Sequence, residues 1–114
     1  MQIIREKVTL AELKEMSEKM YNRLVKAVVD VENNVMAIDA QMHSDVEMLL
    51  LEEEGSEQEN LWGINLYPER DPENWIEFDS IINIRPGQGN RSRGVEDKIL
   101  QEKIKQLVNK LVIR

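Results

Sequence analysis

The sequence predicts an α+β fold. It would be a two-layer sandwich, with a mostly antiparallel sheet of four to five strands covered on one face by two to three helices. Three observations predict it. Two pairs of strand-like segments are each joined by a turn. Three other segments carry apolar residues at helical spacing. Each strand pair has one apolar face and one polar face, so helices must cover the apolar one. The order reads roughly β-α-β-β-α-β-β-α, in one domain over residues 1–114.

The elements follow in turn. "IIR" is a short strand at Ile3–Arg5. "TLAE" is a capping box, in which the Thr9 hydroxyl accepts from the Glu12 N–H and Glu12 reaches back. It opens a helix whose stripe is Leu10, Leu13, Met16 and Met20. "RLVKAVVDV" and "VMAID" flank "ENN", and a two-residue turn centred on Asn33-Asn34 would pair Glu32 with Val35. One face of that hairpin carries Val25, Ala27, Val29, Val31, Met36 and Ile38. "SDVE" at Ser44–Glu47 reads as a second capping box, opening a helix that Gly55 stops.

"LWGINLYP" places Trp62, Ile64 and Leu66 on one side. "WIEFDSIINI" alternates Ile76, Phe78, Ser80, Ile82 and Ile84, and reads as a strand running to Arg85, hairpinned to its predecessor. A last helix, beginning near Ser92 to Val95, carries Val95, Ile99, Ile104, Leu107, Val108 and Leu111 on its apolar stripe.

Composition narrows the function. The chain has 15 basic and 22 acidic residues, a net charge of −7 and no cysteine. Disulfides, thiolate metal sites and thiol catalysis are excluded. The acidic balance argues against general nucleic-acid binding, because the long-range field repels phosphate backbones. No apolar run reaches the roughly 20 residues of a membrane span. The N-terminus has no signal-peptide pattern, and a cytoplasmic location is expected. No cofactor fingerprint is present.

Against that acidic background, "RPGQGNRSRG" at 85–94 holds three arginines and no acid. A glycine-bearing loop between a strand and a helix N-terminus is a recurrent anion cradle. Arg85, Arg91 and Arg93 would supply forked donors, and Gln88, Asn90 and Ser92 neutral ones. The spacing is neither a P-loop nor G-x-G-x-x-G. The competing reading folds these arginines onto the chain's own acids.

Other constellations are weaker. Asp30, Glu32 and Asp39 on one hairpin, with Glu77 and Asp79 on the other, would share the polar sheet face and could ligate a hard cation. An alternating wet face explains them equally well. His43, the single histidine, precedes Asp45 and Glu47. It cannot form a two-histidine zinc site, and reads as a surface or cap-adjacent residue, with general-base chemistry as its functional alternative. Trp62 and Trp75 read as packing.

"ENLWGINLYPE", "WIEFDSIINIRP" and "QGNRSRGVED" together resemble an uncharacterised family of short prokaryotic proteins, a domain of unknown function. The resemblance runs from "LVKAVVDVE" to the last helix. It implies a small, single-domain, cytosolic prokaryotic protein and transfers no catalytic residue. The local charge reversal of the arginine loop, not the resemblance, sets the expected function: a binding or regulatory module holding a small anionic group (phosphate, nucleotide or acidic) at Arg85–Gly94. Two alternatives stand beside it. One is a divalent-metal phosphohydrolase using Asp30, Asp39, Glu77 and Asp79. The other is a homodimer with the arginine loop at its interface.

Overall fold

The computed structural model describes residues 1–114. Its elements are β1 (Gln2–Ile4), β2 (Val8–Thr9), α1 (Leu10–Ser17), β3 (Val25–Asp30), β4 (Val35–Ala40), α2 (His43–Leu49), β5 (Leu61–Leu66), β6 (Ile76–Glu77), α3 (Lys98–Leu111) and β7 (Val112–Ile113). Five strands form one antiparallel sheet in the order β1-β4-β3-β5-β6, while β2 and β7 form a small parallel pair. The α+β class and the antiparallel sheet of five strands are as the sequence predicts. No helix is long and apolar enough to cross a membrane.

The main core lies on the predicted face. Val25, Ala27, Val29, Met36, Ile38, Trp62, Ile64 and Leu66 meet Leu13 and Met16 of α1, and Ile104, Leu107, Val108 and Leu111 of α3. Thr9 caps α1 with the full reciprocal box to Glu12. α2 adds a cover on the second face, which the polar alternation left open. There Val46 and Leu50 bury Val28, Val35, Ala37 and Leu61 in a smaller core. A single π-helical turn at Leu50–Glu54 extends α2, and Gly55 ends it with φ +68°.

Five local expectations are corrected. The first hairpin pairs Asp30 with Val35, not Glu32 with Val35, so its register is slipped by two. Asp30 causes this: its Oδ1 accepts from the Glu32 and Asn33 N–H groups, closing a longer turn in which only Asn34 has positive φ. A slip of two keeps every side chain on its face, so the core is unaffected. Second, Asp39 leaves the polar face. It is the extra residue of a bulge opposite Lys26 and Ala27, with φ +70°, and lies 3.6 Å from Lys19.

Third, the Ser44 capping box does not form. α2 begins at His43 after Met42, with no side-chain cap. Fourth, "WIEFDSIINI" is a strand only at Ile76–Glu77, after which the chain folds across the sheet. Fifth, the last helix starts at Lys98, not near Ser92 to Val95, because the Asp97 side chain caps it by accepting from the Ile99 and Leu100 N–H groups. Ile99 consequently stands off the stripe and is exposed, and Leu100, four residues before Ile104, takes its place against the core.

The crossing over the sheet depends on a missing side chain. A Cβ at Gly63 would lie 2.6 Å from Ser80 Cβ and 3.1 Å from Ile82 Cγ1. The absence of that atom lets the Ser80–Ile82 segment lie flat on β5. Gly63→Ala is therefore an overpacking substitution expected to destabilise by about 1–3 kcal/mol. Urea unfolding measures it, and an unchanged midpoint would show that the segment is not pinned to the strand.

Candidate functional site

Two buried asparagines organise the segment from Ser80 to Gly94. β6 pairs with β5 only at Asn65 and Leu66. At Gly63 the outer edge of β5 would otherwise be bare. The Asn83 carboxamide fills it: Oδ1 accepts from the Gly63 N–H at 2.8 Å and Nδ2 donates to the Gly63 carbonyl at 2.9 Å. Nδ2 also donates to the Arg93 carbonyl at 2.9 Å, as does the Ser80 N–H. Asn90 closes the other end. Its Nδ2 donates to the carbonyls of Asn83 and Gly94, each at 2.8 Å, and its Oδ1 accepts from the Glu96 N–H at 2.9 Å. Buried amides satisfied in this way hold a loop that has little regular structure.

The six residues of the arginine loop separate accordingly. The Arg85 guanidinium donates to the carbonyls of Gln58 and Leu61 and stacks 4.2 Å from the Trp62 ring centre. Gln88 donates to the Glu59 carbonyl. Asn90 is internal, as described. The Arg91 and Ser92 N–H groups both donate to one Glu96 carboxylate oxygen, at 2.7 and 2.9 Å. These two bonds hold the Glu96 carboxyl below its ordinary pKa. The loop is thus an anion nest whose occupant is this chain's own acid. The Arg91 side chain is exposed, with no acid within ion-pair distance. Arg93 Nε donates to Asp79 Oδ1 at 2.6 Å.

Arg93 also borders a cavity of about 230 Å³ with Lys26, Met42, His43, Ser44, Ser80, Ile81 and Ile82. Lys26 reaches it from β3, His43 and Ser44 from the start of α2, and Ser80 from the segment that crosses Gly63. Lys26 has no acidic partner within 4 Å. His43 is buried, and its Nε2 lies 2.8 Å from the Ile64 carbonyl. A carbonyl only accepts, so Nε2 carries the proton and Nδ1 remains an acceptor. Burial lowers the pKa of His43, and the positive charge of Lys26 lowers it further. The Ile64 carbonyl, Asn65 and Asp79 oppose them in part.

The sheet carboxylates do not converge. Asp30 is fully buried in its turn, where Ser56 Oγ donates to it. Glu77 accepts from Asn65 Nδ2 and the Tyr67 hydroxyl. Asp79 holds Arg93, and Asp39 holds Lys19. No three His, Asp or Glu side chains gather as a metal-ligand group. Sequence reasoning missed Lys26 and the burial of His43. Strand alternation places Lys26 on the wet sheet face, and only the cover provided by α2 and the Ser80 segment turns that face into a cavity wall.

Residues 2–111 match a family described as proteins of unknown function, DUF5674, and the chain belongs to that family. No curated protein and no solved structure matches the chain.

The His43 environment has a pH consequence. Its native pKa lies below the ordinary 6.5, so the unfolded chain binds the proton first. Stability should therefore fall as pH drops from 6.5 toward the lower native value, and His43→Gln should remove that part of the loss. Urea midpoints across this window, with NMR titration of the ring, test it. A ring titrating at or above 6.5 would contradict the assignment.

Proposed function

We propose that this protein is a binding or regulatory module for a small anionic group, which Arg93 of the Arg85–Gly94 loop holds together with Lys26. The observation that carries this reading is the cavity at the loop's end. It brings a lysine without an acidic partner and an arginine beside a neutral imidazole and the side chains of Ser44 and Ser80, in a chain of net charge −7. Concentrated positive charge in an acidic molecule attracts an anion only at short range, within about 10 Å at ordinary salt. Arg93 spends Nε on Asp79 and keeps its two terminal nitrogens for a ligand. The cavity is smaller than the roughly 300–1,000 Å³ that drug-sized ligands fill, which favours a phosphate or carboxylate head over a whole nucleotide. The remaining donors of the loop stay outside the contact: Arg85, Gln88 and Asn90 bond within the chain, and the Arg91 side chain is exposed.

Titration with inorganic phosphate, followed by amide shifts, tests the reading. Shifts are expected at Met42–Asp45, at Ser80–Ile82 and at Arg93. Lys26→Met and Arg93→Gln should each weaken binding by about tenfold, the value of one charge-assisted contact. Neither change should unfold the chain, because the Arg93–Asp79 pair is exposed and such pairs contribute little. Unmoved resonances at millimolar phosphate would rule the reading out.

A further inference from the structure

The rim of this cavity differs in character from its charged wall. Met42 and Ile81 both line it, yet they are 59% and 68% exposed. Ile82 lines it as well and anchors in the smaller core. Two further exposed apolar side chains lie on the same elements, outside the cavity lining. Met48 lies one helical turn beyond Ser44 on α2, and Ile84 closes the turn begun at Ile81 through its N–H to the Ile81 carbonyl. Single exposed apolar residues are ordinary. A group of them around one cavity, beside two cations, is the pattern of a ligand site.

Resting on the function proposed above, we infer that the ligand is a small amphiphilic anion. Its carboxylate or phosphate head lies between Lys26 and Arg93, and a short alkyl or aryl group lies along Met42 and Ile81. Charge complementarity fixes the head and apolar contact fixes the tail. A free molecule fits better than a lipid in a bilayer. A net charge of −7 repels an anionic membrane surface, whereas a free anion needs only the local field of the cavity.

The test is calorimetry with inorganic phosphate, ethyl, butyl and hexyl phosphate, hexanoate and hexanol. Affinity should rise about two- to fourfold for each methylene added between ethyl and hexyl phosphate. Hexanoate should also bind, and hexanol should bind far more weakly than hexyl phosphate. Met42→Ser and Ile81→Ser, both at exposed positions, should flatten the chain-length series.

Equal affinity for ethyl and hexyl phosphate would overturn the inference while leaving the anion site standing. Hexanol binding as tightly as hexyl phosphate would overturn it too, since the head would then contribute nothing. No response to any anion would remove both readings. Co-sedimentation with phosphatidylcholine vesicles containing phosphatidic acid, without binding of soluble hexyl phosphate, would overturn the inference in favour of a membrane contact.

Discussion

The Asn83 carboxamide against Gly63 is the contact on which the rest depends. β6 separates from β5 after one short pairing, and a side-chain amide takes over the ladder at the exposed edge. A buried N–H and a buried carbonyl would each cost about 1–3 kcal/mol if left bare. Asn83 satisfies both and ties in the Arg93 carbonyl as well. The lack of a side chain at Gly63 admits Ser80 and Ile82 over the strand. Together these place Arg93, Ser80 and Ile81 opposite Lys26 and His43, so the cavity follows from a strand that ends early.

The same geometry decides what the arginine loop can do. Its positive charge is largely spent within the chain. Arg85 supports two carbonyls and Trp62, the Arg91 and Ser92 N–H groups hold Glu96, and Arg93 contacts Asp79. The loop is a scaffold first. What it presents outward is the exposed Arg91 side chain and Arg93, which is shared between Asp79 and the cavity, and the lysine facing Arg93 comes from a strand far away in sequence.

Legibility in the sequence followed range. Local and periodic signals read correctly: the Thr9–Glu12 box, the Gly55 stop, and the core faces of β3, β4 and β5. Parity protected the first hairpin, since a two-residue slip leaves the faces intact. Signals that compete with long-range contacts read poorly. The alternation from Ile76 to Ile84 predicts one strand, but Asn83 and Ser80 make better bonds folded over Gly63. The β2–β7 pair joins two-residue segments more than a hundred positions apart, and no pattern that short can be read. Asp39 looked like a sheet carboxylate because a bulge leaves no mark in alternation. Lys26 and His43 came together only through tertiary cover.

Amide hydrogen exchange at Gly63 tests the central contact most directly. With its N–H bonded to Asn83 Oδ1 in a buried site, Gly63 should exchange as slowly as the neighbouring core residues of β5, through opening of the whole sheet. Exchange at Gly63 as fast as at the chain termini, with Ile64 still protected, would mean that the edge is open. The crossing segment would then be unpinned, and the cavity would have no fixed wall.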